Sequence, residues 1–373
     1  MAFAAALLFS RPGFGQTSAG PTTASSPALP PDYTPKAVLA TMKRVADWQL
    51  TQPPKHPRDD WTFGALYTGL MALSRISDDP KYHDAMLAMG RQQEWKPAKR
   101  VYHADDHCVC QTYLELYLEH HDAAMLEPTK ARFDFILANP RTNDLHFNIK
   151  GATDRWAWCD ALFMGPPAWL RLYAATGDKK YLEFMDREWR ATSDFLYDKS
   201  EHLYYRDSSY FDRREANGKK IFWSRGNGWV LAGLARVLPL LPAGFASDAF
   251  YERQFTEMSE KIAALQCPDG LWRSSLLAPD DYPAKETSGS GFYTFALAWG
   301  INSGRLKRAE YEPVVRKAWS GLVQCVTPEG KLEHVQPVGA DPKKFDPTWS
   351  DAYGVGAFLL AGSEMYRLVS NPK

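Results

Sequence analysis

Residues 159–197 read CDALFMGPPAWLRLYAATGDKKYLEFMDREWRATSDFLY. Apolar side chains recur at helical spacing through 159–176, a Gly-Asp break follows, and the same spacing resumes over 178–197, which predicts two helices folded back on each other. The pattern repeats along the chain, with further helical segments predicted near 35–52, 60–76, 79–93, 107–122, 127–139, 226–241, 247–266, 287–302, 308–324 and 350–370. Strand-like alternation is confined to short pieces such as His202 to Tyr205. The class is therefore all-α.

About a dozen helices joined by alternating short and long connections match six helical hairpins, each giving one inner and one outer helix. Closed in a ring, six hairpins make an (α/α)6 barrel; left open, they make a solenoid. No fixed-period consensus of a helical repeat runs through the segments, which favours the ring. The long connections, 94–106, 140–158, 198–225, 267–286 and 325–349, hold the aromatic, histidine and acidic residues, and such loops are where function usually resides. We read residues 35–373 as one catalytic domain. Residues 1–34 read as a signal-like apolar start followed by a Pro/Ser/Thr/Ala-rich tether, although no Lys or Arg precedes the apolar run, and export to the periplasm or medium is the expectation.

Lys plus Arg and Asp plus Glu number 44 each, so no global field draws the chain to nucleic acid or to an anionic membrane surface. No segment after the start approaches the roughly 18 uninterrupted apolar residues of a membrane span. The 13 Trp, 18 Tyr and 19 Phe suit either a core or an aromatic-lined cleft, the latter being a common arrangement for sugars. Five scattered cysteines form no disulfide framework. His103, His107, Cys108 and Cys110 match no common zinc spacing, so no metal and no cofactor is expected. Oligomeric state is not legible.

Three constellations carry chemistry. In Trp156-Ala157-Trp158-Cys159-Asp160, a carboxylate opens an apolar helix behind two tryptophans. It is either an N-cap or a desolvated acid whose raised pKa keeps a proton available near neutrality. Asp105-Asp106 precedes the helix from 107 in the same way and supplies a second carboxylate for acid/base work. In Phe222-Trp223-Ser224-Arg225-Gly226-Asn227-Gly228-Trp229, two glycines around an asparagine predict a tight turn with positive φ, presenting Arg225 between tryptophans either to solvent or to a bound carboxylate.

The stretches Trp158 to Pro167, Trp223 to Trp229, Glu286 to Phe292 and Asp351 to Phe358 resemble the unsaturated glucuronyl and rhamnogalacturonyl hydrolases, glycoside hydrolase families 88 and 105, with 105 the nearer likeness. The resemblance implies an (α/α)6 barrel. It also implies removal of a 4,5-unsaturated uronic acid from the non-reducing end of lyase products of pectin, ulvan or a related acidic polysaccharide. In that reading Asp160 protonates C4 of the vinyl ether, water adds at C5, and Asp106 is the partner carboxylate, with Asp105 the near alternative. Arg225, Trp229, Trp158 and Trp223 are expected to contact the sugar. Many members carry a histidine in the loop before the Arg-Gly-Asn-Gly-Trp segment; here that stretch reads Tyr204 to Tyr210, so the contact is either absent or supplied by Arg206. The competing readings are a hydrolase or lyase for another acidic glycoside, and a non-catalytic carbohydrate-binding protein.

Overall fold

A computed structural model describes residues 33–371; the signal-like segment and most of the tether lie outside them. In chain order the helices are α1 (Pro35–Thr51), α2 (Trp61–Ser74), α3 (Lys81–Gln92), α4 (Cys110–His120), α5 (Glu127–Ala138), α6 (Ala161–Met164), α7 (Pro166–Thr176), α8 (Lys179–Leu196), α9 (Ser224–Val237), α10 (Asp248–Ala264), α11 (Thr287–Asn302), α12 (Arg308–Val323) and α13 (Ala352–Ser370). Each segment expected from periodicity is present. The 159–176 segment is split in two, because Pro166 and Pro167 lack the N–H groups that would continue α6 into α7.

Six positions form a closed inner ring. Helix α2 packs on α4, α4 on α7, α6 on α9, α9 on α11, α11 on α13, and α13 returns to α2. Residues on these inner helices are buried nearly all round; in α9 every residue from Ser224 to Val237 is. The others form an outer layer. Helix α8 packs on α7, α10 on α9, α12 on α11, α3 on α2 and α1 on α13, while α5 stacks Phe133 on Trp169 of α7 at 4.0 Å between ring centroids. The short alternating piece lies in a hairpin of two-residue strands, β1 (Tyr197–Asp198) against β2 (Leu203–Tyr204).

The inner helices run parallel. At their C-terminal ends Glu115 of α4 receives Arg171 of α7 at 2.6 Å, Arg236 of α9 at 2.7 Å and Arg75, which follows α2, at 3.0 Å. Burial alone would push the Glu115 carboxyl up, but the guanidiniums of Arg171, Arg236 and Arg75 outweigh it and hold the group at about 2. Gln111 links this knot to the proline break: its Oε1 accepts from Arg236 Nε at 2.9 Å, and its amide donates at 2.7 Å to the carbonyl of Phe163, which Pro167 cannot serve. The knot thereby fixes α6, and with it the residue that precedes α6.

All five cysteines are unpaired thiols. Among the described residues no helix is long and apolar enough to cross a membrane.

Candidate active site

At the opposite end of the ring the N-termini of the inner helices converge, and four of them begin on an acidic residue. Asp60, Glu286 and Asp351 are helix caps, accepting backbone N–H groups of Thr62 at 2.9 Å, Ser288 and Gly289 at 2.9 and 2.7 Å, and Ala352 at 2.8 Å. Asp160, before α6, makes no capping bond. This separates the two readings of Asp160, since its carboxylate is left free for other work. Its Oδ2 accepts the Cys159 thiol at 3.4 Å and lies 3.9 Å from Arg206 Nε. A backbone bond from Cys159 N to Arg206 O, 2.8 Å, brings the two segments together. Burial raises the Asp160 pKa above the usual carboxylate range, and the charges of Arg206 and Arg225 oppose that shift without cancelling it.

The Asp105-Asp106 pair divides in the opposite sense from the one expected. Both oxygens of Asp106 are spent on Arg100: Oδ2 accepts its backbone N–H at 2.6 Å and Oδ1 accepts Nε at 2.8 Å. Asp106 is thus a clasp on the 94–106 loop. Asp105 is the carboxylate that faces Asp160. Burial first, and the charge of Asp160 second, push Asp105 up to about 8. Beside it His103 accepts the Asp105 backbone N–H on Nδ1 at 3.3 Å and packs against Trp158 at 4.7 Å between ring centroids. Burial and the nearby Arg100 drive His103 down to about 3, so the ring is neutral at physiological pH and carries its proton on Nε2. The side chains of Asp160, Arg206, His103 and Asp105 keep 12, 16, 12 and 17 % of their surface in solvent, which makes them the wetted floor of the ring.

Arg225 does not sit in a turn, and it is not a free fork. Ser224 to Val237 is continuous helix, and neither Gly226 nor Gly228 has a positive φ. The glycines serve close approach instead. A Cβ on Gly226 would come within 3.0 Å of both the Cys159 sulfur and the Trp223 ring, and one on Gly228 within 3.2 Å of Gly289. Arg225 donates from Nη1 to Gln336 O at 2.6 Å and from Nη2 to Pro337 O at 2.9 Å, and lies over the rings of Trp223 and Tyr353 at 4.5 and 4.9 Å. Trp223 Nε1 donates to Gln336 Oε1 at 2.8 Å, and the Tyr353 hydroxyl donates to Gln336 O. Gln336 therefore ties the 325–349 loop to the entries of α9 and α13.

Trp223 and Trp229 are fully buried and offer no open ring face, contrary to the stacking role expected of them. Trp229 packs against Phe163, Phe292 and Trp61. Three buried donors around the floor have no hydrogen-bond acceptor within the protein: Arg206 Nε, Arg225 Nε and Trp229 Nε1. Buried N–H groups are rarely left so.

The pattern that defines Glycosyl Hydrolase Family 88 matches residues 33–369, nearly the whole described chain. The chain belongs to that family. The family 88 chain is 41% identical over 346 residues to an unsaturated 3S-rhamnoglycuronyl hydrolase of Formosa agariphila, covering 89% of this chain and 91% of that one. Among solved structures it is similar to a glycosyl hydrolase family 88 protein from Bacteroides vulgatus, with TM-score 0.82, 32% identity, and 90% and 99% of the two chains covered. It is also similar to a protein named Polysaccharide Lyase BACCELL_00875, with TM-score 0.83, 33% identity, and 90% and 98% covered.

Three residues of the family 88 chain's floor escaped the sequence reading. His103 reads from the sequence only as a candidate metal ligand. Trp61, half-buried, approaches Tyr353 at 5.1 Å and Trp229 at 5.9 Å from the start of α2. Its signal was present, because Asp60-Trp61 opens a helix with a carboxylate beside an indole as Trp158-Cys159-Asp160 does. Gln336 gave none, since its role exists only once distant helices meet.

Proposed function

We propose that the chain is an exo-acting hydrolase that removes a 4,5-unsaturated glucuronate from rhamnose-linked oligosaccharides of the 3S type left by a polysaccharide lyase. The observation that carries this reading is Asp160: a carboxyl at a helix entry that declines to cap, is pushed up by burial, and has a second carboxyl and a cation beside it. The name of the Formosa agariphila relative supports the sugar assignment. Export, expected from residues 1–34, belongs to the same proposal.

In this mechanism the Asp105/Asp160 pair holds one proton, because like charges at short range do not both ionise at neutral pH. Asp105, held up at about 8, keeps a proton at neutral pH, and Arg206 opposes the upward shift that burial gives Asp160. A bound uronate places its carboxylate against Arg206, and the added negative charge shifts the proton onto Asp160. Asp160 protonates C4, the π pair becomes the C4–H bond, and positive charge spreads over C5 and the ring oxygen. Water forms a bond to C5 and gives its proton to the ionised carboxylate of the pair. The hemiketal opens as the C5–O5 bond breaks and C5 becomes a ketone; O5 takes a proton, leaving C1 a hemiacetal that expels the aglycone as an alcohol.

The resemblance to a protein named as a lyase favours one second reading, elimination on an acidic polysaccharide. The absorbance of the conjugated uronate separates them. A hydrolase consumes it from lyase-generated oligosaccharides, and a lyase creates it from the intact polymer. We expect consumption, abolished in Asp160→Asn with the fold intact; full activity in that variant overturns the assignment.

A further inference from the structure

We propose that His83, Glu119 and His120 form a binding site for a divalent transition metal, zinc foremost, which staples α3 to α4 at the end of the ring remote from the acid pair. His83 lies in the first turn of α3, and Glu119 and His120 close α4. His83 Nε2 is 3.4 Å from His120 Nε2 and 3.1 Å from Glu119 Oε2. In a tetrahedral zinc site with bonds of about 2.1 Å, neighbouring ligand atoms stand about 3.4 Å apart, so His83 Nε2 already stands at ligand spacing from each of the other two, and all three atoms lie within 4.8 Å of one another. Two imidazoles and a carboxylate are also the donor set that zinc takes when water fills the fourth position.

Hydrogen bonding alone serves this trio poorly. A neutral His83 that donates from Nε2 to Glu119 has one proton for two neighbours, and a His83 that instead accepts from His120 turns its imidazole away from donating to the carboxylate. A divalent cation accepts all three electron pairs at once. Glu119 is already oriented for it: Oε1 accepts Arg75 Nη2 at 2.9 Å, leaving Oε2 for the ion, and Arg75 is itself held at 3.0 Å by Glu115. Such outer partners fix the aim of a ligand. The carbonyls ending α4 add negative potential at the same place. Helix α4 carries the cluster about 15 Å from its own start near the acid pair, at about 1.5 Å per residue, so the staple takes no part in hydrolysis.

The test uses the full, tag-free chain, stripped with chelator and titrated with zinc chloride by calorimetry, with cobalt(II) absorption reporting the coordination geometry. Wild type is expected to bind one equivalent, to show the visible bands of tetrahedral cobalt, and to gain thermal midpoint with zinc. His83→Ala and His120→Ala are expected to lose all three responses while keeping the metal-free midpoint and the uronate-consuming activity. Stoichiometric binding that survives in both variants, or wild-type binding no tighter than theirs, overturns the site. Neither result bears on the hydrolase reading, which is measured separately by absorbance.

Discussion

Replacing Asp105 with asparagine should stabilise the protein, increasingly so as pH rises. In the fold the Asp105 carboxyl is held up at about 8 against an ordinary 3.8, by burial first and by the Asp160 charge second. The sign follows from proton counting. Between about pH 4 and about pH 8 the native state keeps a proton that the unfolded chain releases, so stability falls with rising pH across that window and the loss is complete above it. A displacement of about 4 units at about 1.4 kcal/mol each sets a ceiling of about 6 kcal/mol; the surface Asp105 keeps in solvent screens part of it. Asparagine has no such proton. The stability gap between variant and wild type should therefore be near zero at about pH 4 and widen toward about pH 8. Denaturant unfolding of both proteins across that range measures it, and in Asp160→Asn the fall of stability should end at a lower pH than in wild type, because one of the two causes of the raised Asp105 pKa is gone. A gap of the same size at both ends of the window would refute the assignment of Asp105 as the strained partner. The same Asp105→Asn protein should fail to consume the unsaturated uronate, which makes it more stable and inactive together.

Other outcomes follow from the same contacts. Arg206→Gln should lower kcat/KM by about 10- to 100-fold, the worth of a charge-assisted hydrogen bond to the substrate carboxylate. It should also move the acid limb of the pH–rate profile upward, because Arg206 holds the Asp160 pKa down; an unmoved limb would remove Arg206 from the floor. Glu115→Gln takes the anionic partner from the buried guanidiniums of Arg171 and Arg236, while Arg75 keeps Glu119, and should cost at least about 3 kcal/mol in denaturant unfolding. Chelator should leave the rate of uronate consumption unchanged in a direct absorbance assay, even where it lowers the thermal midpoint.

The ring was legible because helical periodicity survives in every segment, and the long connections that build the floor stood out by composition. Asp160 was legible as a carboxylate in an unusual setting, but whether it capped α6 depended on a side-chain direction that no spacing encodes. The order of Asp105 and Asp106 was hidden for the same reason: adjacent residues on a tight turn point apart, and only the fold shows that Arg100 claims the second. Arg225 was misread through its glycines. Glycine suggests positive φ when the partner that needs the missing Cβ, here Cys159 or Gly289, is distant in the chain.

The closed ring also brings the two ends of the described residues onto one helix. Tyr33 donates its hydroxyl to the Arg316 carbonyl at 3.2 Å, and Arg308 donates to the carbonyl of Asn371 at 2.8 Å, so both ends lie on α12. Those two anchor points are eight residues apart, about 12 Å along one helix. A short linker could span that gap, and new ends opened in an exposed connection would leave every interhelical face in register. The order in which the six hairpins are encoded is in that sense a cyclic order, and any cut away from the floor is an equivalent beginning.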